Sequence, residues 1–162
     1  MKLNQTLFSE YQKIMTTTSL RAGYQQIWAF MHDLFCTLKK MMPDHDFHPR
    51  IIENRLNFIY FQFTDQKLKK AGLKIQIVFV HSTCLFEIWM SGYNRKIQRR
   101  YYDLISFNQC PFEICQDPKH DDFIAKIKLN HIFDLPIEDV IQQIKVCEHY
   151  FLNIEQEKKH GI

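Results

Sequence analysis

Glycine and proline are scarce in this chain, at 4 and 5 of 162 residues, which argues against long flexible linkers. No window approaches the ~18 consecutive apolar residues that a membrane helix needs. The opening residues MKLNQTLFSEYQK hold no apolar run ahead of their polar ones, so neither a membrane span nor a signal peptide is expected. The five cysteines, Cys36, Cys84, Cys110, Cys115 and Cys147, are odd in number and form no CxxC. Most fall inside apolar helical or strand patterns, as reduced and mostly buried thiols do, and the expected compartment is the cytoplasm. Charge of neither sign dominates: 21 basic against 18 acidic side chains leave +3 and a pI near 8.5. That balance is too mild to imply nucleic acid or a membrane surface, so a basic patch can arise only by local clustering. There is no GxSxG and no glycine-rich phosphate loop, leaving nucleophilic catalysis only to residues brought together from afar. Neither an internal repeat nor a low-complexity segment is found, and no cofactor is implied.

What is present is a length sufficient for a substantial core and an abundance of aromatics, 14 Phe, 7 Tyr and 2 Trp. One domain over residues 1–162 is expected, with N-terminal helices and a loop at 1–48, a sheet with inserted helices at 49–131 and a C-terminal helix at 135–159. Leu3, Leu7, Tyr11 and Ile14 recur at helical spacing up to Thr16-Thr17-Thr18, and a second helix starts at Thr18 or Ser19 and stops before Pro43. Its wide apolar stripe, Leu20, Tyr24, Ile27, Met31, Leu34, Leu38 and Met41, suits a helix lying across a sheet. Residues 55–63, RLNFIYFQF, read as a strand that begins as early as Ile51. Asp65 caps a brief helix that ends on Gly72. The last helix opens at Leu135-Pro136 with Asp134 and Glu138 near its positive end, and its charged tail is expected to fray.

The middle of the chain, residues 73–104, organises the rest. Two strands flank a turn at Ser82-Thr83 and should pair antiparallel. Ile75, Ile77 and Phe79 share one parity with Phe86, Ile88 and Met90, the core side. Lys74, Gln76, Val78 and Val80 share the other with Leu85, Glu87 and Trp89, a face too apolar for open water and too polar for a sealed core. A helix follows from Tyr93 or Asn94. Residues 107–121 read as a loop with at most a short strand at 112–115, and residues 123–129 alternate as a half-exposed strand. The expected fold is therefore α+β, with one mainly antiparallel sheet of about four strands packed by the terminal helices, in the order ααβαββαβα. The crossover over 93–121 is long enough for the last strand to run parallel to its neighbour.

Two features suggest chemistry. Glu87 and Trp89 lie two apart on one strand face, where a semi-buried carboxylate and an indole would meet a ligand together with Gln76, Tyr60 or His81. The structural alternative is a Trp covering the sheet and a Glu paired with Arg55 or Lys74. Arg95, Lys96, Arg99 and Arg100 cluster on the following helix, beside the helix opening at Gly92-Tyr93-Asn94, and would receive an anionic ligand or an acidic partner. Tyr101 and Tyr102 would add stacking. Their alternative is a solvated face, or pairing with acids such as Asp103. Asp44, His45, Asp46 and His48, and separately His120, Asp121 and Asp122, are metal-type residues without a recognised ligand spacing, so no metal is expected. Cys110 and Cys115 lack the second cysteine pair of a zinc site.

Tyr60, Phe61, Phe63, Thr64, Leu73, Lys74, Ile77, Val78, Phe79 and His81, continuing through Phe86, Glu87, Trp89, Gly92, Asn94, Gln98 and Tyr101, carry a resemblance. In them the chain resembles an uncharacterised family of small bacterial proteins, a domain of unknown function found in Firmicutes and Bacteroidetes. The resemblance implies a bacterial cytoplasmic protein and transfers no functional residue. The element order is also similar to that of restriction-endonuclease-like nucleases. That family places an acid at the end of its second core strand and Glu-x-Lys on its third. Here Glu87 is followed two residues on by Trp89, and LKIQIVFVH has no acid, so a metal-bound water would be neither held nor activated in the usual way.

The sequence thus reads first as a ligand- or partner-binding domain using Glu87, Trp89 and the helix bearing Asn94, Arg95, Arg99 and Arg100. The alternative is a divergent or inactive nuclease-like protein. A homo-oligomer joined through its aromatic surface is a third reading.

Overall fold

The computed structural model describes residues 2–105, 109–129 and 136–160. Helix α1 (Gln5–Thr17) begins where the Asn4 side chain accepts from the Leu7 amide at 3.1 Å. It ends where the hydroxyls of Thr16, Thr17 and Thr18 bond back to carbonyls one turn earlier, at 2.8, 2.6 and 2.6 Å. Helix α2 (Leu20–Met41) follows, with Ser19 in the cap position but making no side-chain capping bond. Its buried stripe is Met31, Leu34 and Leu38.

The strands are β1 (Asp46–Phe47), β2 (Ile52–Asn54), β3 (Phe58–Thr64), β4 (Leu73–Val80), β5 (Leu85–Gly92), β6 (Glu113–Ile114) and β7 (Ala125–Leu129). Between them lie α3 (Gln66–Ala71), α4 (Arg95–Ile105) and finally α5 (Ile137–His160). The sheet runs β1-β3-β4-β5-β7-β6, with β2 also on the β3 edge. Every pairing is antiparallel.

The α+β class stands, but a sheet of about four strands in the order ααβαββαβα does not. Among the described residues the sheet has seven strands. Three of them, β1, β2 and β6, are two or three residues long, too short for alternation to declare them, though β6 falls within the short strand allowed at residues 112–115. The single strand expected over residues 51–63 is two, folded back at Arg55 and Leu56 with φ of 45° and 61°. Both are left-handed conformations that glycine or asparagine would ordinarily signal. The Glu53 carboxylate holds that turn by accepting from the Leu56 amide at 2.6 Å. β7 pairs antiparallel with β5, not parallel as the crossover length allowed. The β4–β5 turn is wider than Ser82-Thr83, spanning four residues and closing on Cys84 with φ 53°.

The brief helix is as expected: Asp65 caps it through the Leu68 amide at 2.7 Å, and Gly72 ends it in the left-handed region at φ 76°. Leu135 and Asp134, expected at the opening of the last helix, lie outside the described residues, as do Phe107 and Asn108 of the long loop. α5 continues to His160 through the tail expected to fray.

The register of β4 with β5 sets Ile75 against Met90, Ile77 against Ile88 and Phe79 against Phe86. All six side chains are buried and join Ile59, Phe61 and Phe63 of β3 in one apolar core. Onto this face pack Met31, Leu34 and Leu38 of α2, Leu68 of α3, Tyr101, Leu104 and Ile105 of α4, and Val140, Ile144, Phe151 and Ile154 of α5. At roughly 25 cal/mol per Å² of apolar surface removed from water, this layer supplies most of the driving force for folding. The opposite face carries Phe58, Tyr60, Lys74, Gln76, Val78, Glu87, Trp89 and Lys126. Val78 and Trp89 are buried there, outside the helix-covered core.

Candidate functional site

On that second face the strand register places Gln76 opposite Trp89 and Val78 opposite Glu87. Glu87 is 1% exposed. Its Oε2 accepts from the Trp89 indole N–H at 2.6 Å, and its Oε1 lies 3.2 Å from the Lys126 ammonium. Lys126 also lies 3.6 Å from Glu113, which bonds Lys128 at 2.9 Å. The hydrogen bond from Lys128, aided by the charge of Lys126, holds the Glu113 carboxyl below its ordinary range. The Trp89 ring packs between Phe58 and Phe123, with centroids 5.3 and 5.0 Å away. The carboxylate and the indole therefore satisfy each other under aromatic cover. The cation that answers Glu87 is Lys126 of the adjacent β7, and not Arg55 or Lys74, the two partners the sequence offered.

Beside this sealed patch the same face opens into a cavity of about 620 Å³. Its floor is Tyr60 and Phe58 of β3 with Lys74 and Gln76 of β4. Its rim is the opening of α4 (Gly92, Tyr93, Asn94, Arg95 and Gln98), with Asp122 and the β2 residues Ile52, Glu53 and Asn54 completing it. Of the residues singled out from sequence, the structure brings Tyr60, Gln76, Asn94 and Arg95 together here. Glu87 and Trp89 do not line it, nor do His81, Arg99 and Arg100.

Each departure has a structural cause. His81 lies beyond the far end of β4, stacked on Tyr24 at 5.8 Å and edge-on to Phe79 at 5.2 Å. Burial lowers its pKa, and its Nε2 has no hydrogen-bond partner among the described residues. Arg99 pairs along its own helix with Asp103 at 3.0 Å. Arg100 reaches the Ala71 carbonyl at 3.4 Å and lies over the Tyr101 ring at 5.0 Å. Three of the four like charges stacked along α4 are thus answered separately, Arg99 by Asp103, Arg100 by a carbonyl and Arg95 by the loop before β7. Arg95 donates to the Asp121 carbonyl and pairs with Asp122 at 3.2 Å.

The residue that sequence reasoning passed over is Lys74. It is half-buried in the cavity floor, and its ammonium makes no hydrogen bond or ion pair among the described residues. Burial pulls its pKa down, partly offset by the charge of Asp122. Tyr60 responds oppositely: burial, and then Asp122, raise its phenol. The signal for Lys74 was available, since it shares strand parity with Gln76; what sequence could not supply was that Asp122 and α4 fold over it.

The rim is held rigidly. The Asn94 side chain accepts from the Ile97 amide at 2.9 Å, capping α4. Gln98, 3% exposed, donates to the carbonyls of Asp121 and Phe123 at 2.6 and 3.1 Å and accepts from the Gly92 amide at 3.3 Å. Ser91 Oγ lies 2.6 Å from Gln76 Oε1. A Cβ on Gly92 would stand 2.7 Å from the Gln98 backbone nitrogen, so only glycine allows the strand this close to the helix. Chemically, the cavity offers one unanswered ammonium, a phenol, side-chain amides and the amide-rich end of a helix, with a carboxylate on either wall.

The metal-type loops are engaged otherwise. His45 bonds Glu148 at 2.7 Å and His120 bonds Asp117 at 2.6 Å. Among the described residues, no three His, Cys, Asp or Glu side chains group so as to hold a metal ion. No helix among them is long and apolar enough to cross a membrane. Cys115 is buried, which pushes its thiol up to about 11.

No curated protein and no solved structure matches the chain significantly. A family model described as a domain of unknown function, DUF7000, matches residues 3–156, taking in both the cavity and the helices behind it. The chain belongs to that family.

Proposed function

We propose that this protein is a binding domain for a small polar ligand bearing an anionic group, taken up in the cavity between the β3–β4 floor and the opening of α4. The observation that carries this reading is Lys74, an ammonium held half-buried in a cavity wall with no hydrogen bond or ion pair among the described residues, its burial offset only in part by the charge of Asp122. A cation left so is costly to a fold and is retained where something else answers its charge. A carboxylate or phosphate on Lys74 would also meet the α4 amides. The phenol of Tyr60 and the amides of Gln76 and Asn94 would then fix the polar remainder, with Phe58 as an apolar wall. Glu87 and Trp89 serve this reading from behind, by making the floor stiff.

The test is thermal melting with inorganic phosphate, citrate and a nucleoside monophosphate as probes. At about a hundred times its Kd, a true ligand stabilises the fold by about 2.7 kcal/mol. At least one probe should raise the melting temperature of the wild type and fail to raise that of Lys74→Met, which keeps the aliphatic stem. Equal shifts in both proteins, or none with any probe, would remove the proposal.

A further inference from the structure

Six of the ten exposed large apolar side chains among the described residues fall between residues 3 and 20: Leu3, Leu7, Phe8, Tyr11, Ile14 and Leu20. Helix α1 buries none of its residues. Within α1, Leu7, Tyr11 and Ile14 follow one another at four- and three-residue steps, so they form one continuous stripe, widened by Phe8, while Leu3 lies just ahead of the helix and Leu20 just beyond it, at the start of α2. A long, apolar stripe left bare is the mark of a surface that meets another.

We infer that α1 pairs antiparallel with the α1 of a second copy of this chain. Two observations select that occupant. The first is area. Leu3, Leu7, Phe8, Tyr11, Ile14 and Leu20 are 73, 63, 49, 55, 45 and 52% exposed. At about 200 Å² per large side chain the four on α1 present on the order of 400 Å², and Leu3 and Leu20 at its two ends extend this toward the ~800 Å² each partner contributes to a stable interface. The second is charge. The helix holds one acid and one base, Glu10 and Lys13, and each precedes a stripe residue by one position, which puts both on the same edge. In an antiparallel two-fold pair, like edges meet. Glu10 of one copy then faces Lys13 of the other, twice, while Tyr11 meets itself near the axis. A lipid surface fits less well, because the polar face lacks the Lys and Arg excess that draws an amphipathic helix to anionic headgroups.

The experiment is sedimentation velocity on the full chain across low to high micromolar concentration. The wild type should sediment as a dimer, and Tyr11→Glu as a monomer with an unchanged melting temperature of the remaining fold. Glu10→Lys and Lys13→Glu should each weaken the dimer at least tenfold. Their equimolar mixture should restore it, since unlike charges then face each other at both contacts. A wild type that stays monomeric overturns the inference, as does a dimer that survives Tyr11→Glu. Failure of the mixture to recover overturns the antiparallel pairing, and flotation of a monomeric wild type with phosphatidylcholine–phosphatidylserine vesicles would assign α1 to a membrane surface instead.

Discussion

On one face of the sheet, Ile59, Phe61, Ile75, Ile77, Ile88 and Met90 meet four helices, and apolar side chains dominate the contact. On the other, the same strands carry Lys74, Gln76, Glu87, Trp89 and Lys126, covered by short strands, a loop and one helix opening. The first face is held by area, which is non-directional and tolerant of small shifts. The second is held by pairs: Glu87 with Lys126 and Trp89, Gln98 with two carbonyls, Arg95 with Asp122. Directional contacts fix side-chain positions closely but contribute little net stability. The fold is therefore stabilised on one side and shaped on the other, and the unanswered ammonium of Lys74 belongs to the shaped side.

That contrast can be broken by mutation. Ile77→Ala, at a position with no solvent exposure, should cost about 3–4 kcal/mol by chemical denaturation and leave the cavity's chemistry intact. Lys126→Met should cost about 3 kcal/mol by stranding the buried Glu87. If the pair gives shape more than stability, adding Glu87→Leu to Lys126→Met should recover at least half of that loss. A double variant as unstable as the single one would show that the second face is also a source of driving force.

The helix side has a titrating contact of its own, His45 with Glu148, whose side chains are each 12% exposed. Burial lowers the His45 pKa, but the hydrogen bond and charge of Glu148 outweigh it and the net value is raised above 6.5. The pair's stabilisation is therefore complete below pH 6.5 and is lost as pH rises through the raised folded value. Melting curves of wild type and Glu148→Gln should accordingly be well separated near pH 6 and draw together toward pH 8. The smallest effect is expected at Lys74→Met, which removes a desolvated charge without breaking a contact. Stability should hold or rise by about 0.5 kcal/mol, and a loss above about 1 kcal/mol would mean that Lys74 supports the fold.

The two faces were also unequally legible. Alternation in residues 73–90 assigned both sides of the β4–β5 hairpin, and the register agrees side chain by side chain, because a period of two admits only one solution once a core is needed. The capping of α3 by Asp65 and Gly72 was legible for the same local reason. The β2–β3 turn was not: Arg55 and Leu56 adopt left-handed backbone that their side chains do not advertise, and Glu53 supplies the stabilising bond. At the candidate site, Tyr60, Gln76, Asn94 and Arg95 could be gathered because they sit on or next to one hairpin. Asp122 could not, being brought to Arg95 and the cavity rim by the loop ahead of β7. Charge clustering on α4 did not tell which cations face the cavity, because counting cations along a helix ignores the acids and carbonyls that neighbouring segments bring to them.

Gly72 and Gly92 pair with the same end of the β4–β5 ladder, Leu73 opposite Gly92 and the Tyr93 amide donating to the Gly72 carbonyl at 2.9 Å. A methyl on Gly72 would fall 2.4 Å from Ile97 of α4, and one on Gly92 against the Gln98 backbone. Half of the chain's four glycines are thus committed to one hinge-free weld between sheet and helix. Alanine at either place should push α4 outward and re-cut the mouth of the hollow, so that the shape of the cavity is set by two residues without side chains.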